Sequence, residues 1–294
     1  MNTAAATTGF VPTFRDLVAL TKPRVTALVL ATSGAGMALA PGALPVGRGC
    51  LMLLGTLLCV ASANALNCFL ERESDKLMAR TRTRPLPAGR LEPSLALGFG
   101  LLLGALSLPV LALGVNPVTG ALGALALVSY VAVYTPMKTM SPLALVVGAV
   151  PGALPPLMGW TAVTGHIAAF GLVLFAILFL WQLPHVIGLG SFRRDDYVAA
   201  GIRVLPAVYG ERFVKTHAVI WTLVLCGASV LPTVFGWAGP GYLITALLLG
   251  GAYLAATLRG FRTTPLSSWG KRLFLTSLFY LPFLFLALIL DGRA

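Results

Sequence analysis

Four polar residues recur at helical spacing where an apolar run gives way to a charged one, in the segment SANALNCFLERESDKLMARTRTRPLPAGR: Asn64, Asn67, Glu71 and Asp75. Their spacing of 3, 4 and 4 residues places all four on one face of a helix of 3.6 residues per turn. An amide and two carboxylates one turn apart supply the hard oxygen ligands that Mg²⁺ prefers, with positions left for water and a substrate phosphate. Arg80, Arg82 and Arg84 follow at once, and guanidinium forks match phosphate oxygens. Carboxylates for a metal followed by arginines for an anion describe a diphosphate site. Plainer readings stay open for each part. The arginines suit a membrane surface as topological charges, Glu71 and Asp75 suit pairing with Arg72, Lys76 or Arg80 on a wet helix end, and the asparagines suit hydrogen bonding between helices. Their combination at the edge of an apolar helix favours intramembrane function.

A second polar segment reads FLWQLPHVIGLG into SFRRDDYVAAGIRVLP. Here Asp195 and Asp196 adjoin Arg193 and Arg194, either as a substrate-facing pair or as acids neutralised by their neighbours. His185 follows Pro184, which frees a backbone carbonyl and bends a helix, and it stands beside Trp181 and Gln182. His166 and His217 read as structural. Cys50, Cys59, Cys68 and Cys226 form no C-x-x-C and read as buried small residues, neither metal ligands nor a disulfide framework.

These residues must be positioned by a chain of 294 residues that is 57% hydrophobic, 10% charged and has a mean hydropathy of +0.89. A soluble domain carries about 25% charged residues, so the composition points to a chain lying mostly in lipid. Nine apolar stretches, near residues 24–41, 50–70, 93–113, 117–136, 142–160, 167–185, 213–236, 240–258 and 272–290, are each about long enough to cross. Without period-2 alternation they read as helices, giving an all-α polytopic membrane protein. The first stretch, after Lys22-Pro23-Arg24, reads as a retained span and not a signal peptide. Sorted by loop, 19 of the 21 Lys and Arg residues fall on one side, with only Arg48 and Arg293 opposite. The positive-inside rule makes that side, and the N-terminus, cytoplasmic. Two long charged loops, about residues 71–92 and 186–212, suggest a single domain, 1–294, of duplicated halves at about 20–136 and 142–258 plus a ninth helix at about 272–290. Basic charge then belongs to topology and an anionic substrate, with no nucleic acid implied.

The run N-x-x-x-E-x-x-x-D followed by RTRTRPLPAGR resembles the first signature of the UbiA superfamily of membrane prenyltransferases, and within it the haem O synthase (protohaem IX farnesyltransferase) family. LTKPRVTALVLAT at 20–32, YTPMK at 134–138, VGAVPGALPPLMGW at 147–160 and FLWQLPHVIGLGSFRRDDYVAAGIRVLP at 179–206 agree with it. Glu71 departs from the pattern, standing where many superfamily members have Asp. So does the second loop, which lacks a second D-x-x-x-D: Ser191 and Ala199 flank Asp195 at four residues and Ala200 follows Asp196 at four. The resemblance implies nine helices around a central cavity in a bacterial inner membrane. It implies transfer of farnesyl from farnesyl diphosphate to a vinyl group of haem b, with water completing a hydroxyethylfarnesyl side chain. Mg²⁺ would be held by Asn67, Glu71 and Asp75, with Arg80 and Arg84 as further catalytic groups. Asn64, Lys138, His185, Arg193, Arg194, Asp195, Asp196 and Tyr197 would bind substrate, His185 as a haem contact, and haem A synthase or terminal-oxidase assembly factors would be partners. The competing expectations are a prenyltransferase for an aromatic quinone precursor, against which the missing second motif counts, and a multi-span anion transporter.

Overall fold

The computed structural model describes residues 14–262 and 265–292. Backbone groups in hydrocarbon must be satisfied within their own segment, and the apolar runs accordingly form long helices. They are α1 (Pro23–Leu39), α2 (Val46–Leu70), α3 (Pro93–Gly114), α4 (Pro117–Met140), α5 (Ala144–Thr164), α6 (Ala169–Phe192), α7 (Glu211–Val234), α8 (Pro240–Leu258) and α9 (Leu266–Asp291). Eight of them have the length and apolarity to cross a membrane. The ninth, α1, has 17 residues; at 1.5 Å per residue it is about 25 Å long, and the helix Phe14–Leu20 precedes it. Proline opens α1, α3, α4 and α8, where its missing N–H would be unpaired anyway. Several helices outrun their apolar stretch: α6 continues past residue 185 to Phe192 and α9 begins at Leu266 instead of 272. Backbone hydrogen bonding is indifferent to side-chain polarity, so the helices project into the charged region.

Successive helices are neighbours from α1 through α8, and α5 packs against α1, α4 and α6. The last helix, α9, lies against α6, α8 and α1. Small residues permit the closest crossings, as expected where lipid offers no hydrophobic drive between helices. A Cβ on Gly36 would strike the Pro156 carbonyl, and one on Gly159 the Ser33 carbonyl, so α1 and α5 touch backbone to backbone. Large apolar residues such as Leu102, Leu248, Phe279 and Leu290 face outward, while Ser62, Thr119, Thr161 and Ser229 are buried and hydrogen-bonded. Cys59 and Cys68 are buried as expected, but Cys226 is only half-buried and Cys50, one turn into α2, is exposed.

Helix α8 has a borrowed cap. Its N-cap is Gly239, which offers no side chain, and the Asp291 carboxylate at the end of α9 accepts from the Tyr242 N–H at 2.7 Å. Asp291 also accepts the Gly239 N–H on its backbone carbonyl at 3.1 Å. Removing such a cap costs about 1 kcal/mol. Asp291→Ala should therefore lower the thermal unfolding midpoint in detergent while leaving turnover unchanged; an unaltered midpoint would refute the capping role. Arg293, the other charge expected on this side, lies outside the described residues.

Candidate active site

At the end of α2 the helix loosens: Glu71 leaves helical geometry at φ −92°, ψ 4°, and the helix Arg72–Lys76 resumes. Backbone bonds from Glu71 N to Asn67 O (2.9 Å) and from Asp75 N to Glu71 O (2.8 Å) keep the one-turn spacing through the break. Asn67, Glu71 and Asp75 thus line one cavity of about 280 Å³, together with Lys22, Arg80, Arg84, Lys138 and Arg203. Five cations face two carboxylates, a wall suited to an anion of several charges. Each carboxylate is met by a cation: Lys138 Nζ lies 2.6 Å from Glu71 Oε1, and Arg84 Nη1 lies 2.7 Å from Asp75 Oδ2.

The opposite wall comes from α4, whose residues Ser129–Tyr134 widen into a π-helical turn. Such turns concentrate at functional sites; here Tyr130 and Tyr134 both line the cavity, with ring centroids 5.3 Å apart. Lys138 Nζ sits 4.5 Å from the Tyr134 ring centre. The mouth is roofed where the two charged loops meet. Met78 packs with Ala200 and Ile202, Arg80 reaches the Tyr197 hydroxyl at 3.4 Å, and the Arg203 N–H donates to the Lys138 carbonyl at 2.8 Å. Burial raises the Tyr197 pKa, with Arg80 opposing. Arg90 anchors the first loop, donating to Asp16 at 3.2 Å and to the Thr83 carbonyl at 3.1 Å.

Lys22 enters from the bend before α1, and its ammonium donates to Asn67 Oδ1 at 2.8 Å. Burial lowers its pKa; the Arg84 and Lys138 charges push the same way, while Cys68 and Glu71 oppose.

A model of the UbiA prenyltransferase family matches residues 28–280. The chain belongs to the UbiA prenyltransferase family. It is 50% identical over 279 residues to a protoheme IX farnesyltransferase of Anaeromyxobacter sp. (strain Fw109-5), covering 95% of this chain and 94% of that one. It is 49% identical to the protoheme IX farnesyltransferase of Myxococcus xanthus (strain DK1622), over 94% of each. Among solved structures it resembles a digeranylgeranylglyceryl phosphate synthase (TM-score 0.81, 17% identity, 94% of this chain and 97% of that one). It also resembles a UbiA homolog from Archaeoglobus fulgidus bound to GPP and Mg²⁺ (TM-score 0.63, 17% identity, 92% and 99%). This UbiA-family chain is a multi-pass membrane prenyltransferase.

Not every residue expected at the site of this prenyltransferase reaches it. Asn64 is turned away from the cavity: its amide donates to the Thr21 carbonyl at 3.1 Å, bracing the bend that carries Lys22. Of the second-loop residues expected to bind substrate, Arg193, Arg194, Asp195, Asp196 and Tyr197, only Tyr197 lines the cavity, joined there by Ile202, Arg203 and Val204. Arg193 lies 3.9 Å from Asp196 and Arg194 3.8 Å from Asp195, whose side chain is fully exposed, and Arg194 also donates to the Pro206 carbonyl at 2.9 Å. Each acid of the pair thus lies within 4 Å of one of its own arginines, and neither lines the cavity. His185 also stays out. Because α6 runs on to Phe192, His185 lies within the helix and faces α9, stacked on Trp181 with Nδ1 2.6 Å from Ser277 Oγ. Its contacts join α6 to α9. Residues not anticipated are Lys22, Tyr130, Tyr134 and Arg203. Lys22 carried a legible signal, a charge directly before a proline-led helix, and Tyr134 and Arg203 lie in segments that carry the family resemblance; Tyr130 carried none, since a π-turn leaves no spacing rule in sequence.

The donor set fits a hard divalent cation. Asp75 is 1% exposed, and its Oδ1 has no hydrogen-bond partner, a costly state for a buried carboxylate oxygen unless a cation answers it. Among the described residues no three His, Cys, Asp or Glu side chains converge. Two carboxylates and an amide suit an ion that keeps waters and takes phosphate oxygens, as Mg²⁺ does.

Proposed function

We propose that this chain transfers the farnesyl group of farnesyl diphosphate to a vinyl group of haem b, giving haem O and diphosphate. The observation that carries the chemistry is the cavity in which five cations and two carboxylates meet at the end of apolar helices; the acceptor rests on relatives about half identical over nearly the whole chain. Asn67, Glu71 and Asp75 would hold Mg²⁺, which when bound withdraws charge from the leaving diphosphate. Arg80, Arg84, Lys138 and Arg203 bind the diphosphate oxygens and stabilise the negative charge that grows as the allylic carbon–oxygen bond breaks. Tyr130 and Tyr134 present aromatic faces to the allylic cation, and the surrounding apolar side chains keep water from it. The vinyl carbon then supplies the electron pair for the new carbon–carbon bond, and water adds to the resulting cation with loss of a proton.

The charge distribution favours an inner-membrane orientation with the N-terminus and the cavity mouth cytoplasmic. Reporter fusions after residues 90 and 165 should then report opposite sides. The function itself is tested by supplying purified protein with farnesyl diphosphate, Mg²⁺ and haem b, and identifying products by mass. A haem product with added hydroxyethylfarnesyl mass is expected. Prenylation of a quinone-precursor ring with haem left unmodified would replace haem by the aromatic acceptor.

A further inference from the structure

Lys22 is the one non-glycine residue with positive φ among those described, at φ 49° and ψ 65°. L-residues avoid that region, and departures of this kind gather at working sites. The surroundings over-determine it. Asn64 Nδ2 and Thr26 Oγ1 both donate to the Thr21 carbonyl, at 3.1 and 2.7 Å, and Pro23 commits the next residue to α1. The outcome of this bracing is that the ammonium meets Asn67 Oδ1 at 2.8 Å.

An ammonium has only donors, so the atom it meets must be the amide oxygen, which is also the one oxygen this side chain can offer a metal. Asn67 cannot turn over to provide another contact, because its Nδ2 is committed to Thr135 Oγ1 on α4 at 3.2 Å. Glu71 and Asp75 are meanwhile held by Lys138 and Arg84. Each prospective ligand residue is therefore matched with its own side-chain cation. A divalent ion at Asn67 would stand beside a third positive charge unless Lys22 withdrew. The flexible stem of lysine allows that withdrawal without moving the braced backbone.

We propose that Lys22 is a built-in stand-in for the metal, which holds Asn67 Oδ1 until the ion and diphosphate arrive and then passes its ammonium to a phosphate oxygen. The metal displaces a cation and the diphosphate receives it, so each ligand favours the other. This rests on the metal and diphosphate assignment made above for the same cavity.

Two binary affinities of the full-length protein in detergent test it: Mn²⁺ alone, followed by its electron paramagnetic resonance signal, and inorganic pyrophosphate alone in the presence of EDTA. Lys22→Gln should bind Mn²⁺ about tenfold more tightly than the natural protein and pyrophosphate about tenfold more weakly. Lys22→Arg, keeping the charge, should retain weak Mn²⁺ binding. A merely structural lysine would weaken both affinities on removal, and an unchanged or weaker Mn²⁺ affinity in Lys22→Gln overturns the proposal. The natural protein supplies a second measurement should that variant not fold. Saturating pyrophosphate must raise its Mn²⁺ affinity, after correction for the complex in solution, and absence of that coupling also overturns the proposal. Asp75→Asn separates the two levels of the claim. If Mn²⁺ binding does not depend on Asp75, the metal site itself is misassigned and the stand-in falls with it; if it does, a null result at Lys22 refutes the stand-in alone.

Discussion

Asp75→Asn is expected to lower farnesyl transfer by about a thousandfold or more while leaving the protein folded in the membrane. The substitution keeps the volume of a side chain that is 1% exposed and removes the charge proposed to hold the metal. Arg84, its partner at 2.7 Å, is partly exposed and can turn to water, so the unpaired guanidinium costs little stability. Turnover of the purified variant over a range of Mg²⁺ concentrations, with its thermal midpoint, checks both halves of this expectation. Near-normal turnover at any Mg²⁺ concentration would remove Asp75 from the metal site. Glu71→Asp should be milder, since it shortens the reach of a carboxylate without removing it.

Lys138→Met should reduce activity by about 10² to 10³-fold, the usual loss when one stabilising donor leaves a charge-developing site. Unlike Asp75→Asn it should also destabilise the fold. Lys138 and Glu71 are 2.6 Å apart with side chains only 16% and 15% exposed, and breaking a buried pair from one side costs about 3–5 kcal/mol. The double variant Glu71→Gln/Lys138→Met isolates the stability effect, because it removes the stranded charge while restoring neither the catalytic cation nor the proposed metal ligand. Its thermal midpoint should recover most of the loss while turnover stays low. Recovery of turnover along with stability would show that neither the Glu71 carboxylate nor the Lys138 ammonium is needed for the reaction.

The legible part of this protein is what depends on local pattern. Length and continuity of apolar runs dictate helices, because no other local structure satisfies an isolated backbone in lipid, and all nine runs became long helices. The one-turn spacing of Asn67, Glu71 and Asp75 likewise placed them together, since i, i+4 geometry survives even the loosened turn at Glu71. Which side chains faced the cavity was less legible wherever the answer belonged to a partner helix. Asn64 has the same periodicity as Asn67 but meets the Thr21 carbonyl, and His185 meets Ser277 on α9, almost a hundred residues away in sequence. Asp195 and Asp196 stand near the cavity mouth in sequence yet turn to their own arginines. Lys22 was drawn in by a strained bend, and Tyr130 and Tyr134 by a π-turn in α4. Sequence determined the helices, the charged edge and the one-turn spacing of Asn67, Glu71 and Asp75, all governed by interactions within a few residues. Only the tertiary structure decided which cations answer Asn67 and Glu71, because those pairings bring in Lys22 from the bend before α1 and Lys138 from the end of α4, whereas Arg84 answers Asp75 from within the same loop, and the free energy of burying a charge depends on what the neighbouring helix brings to it.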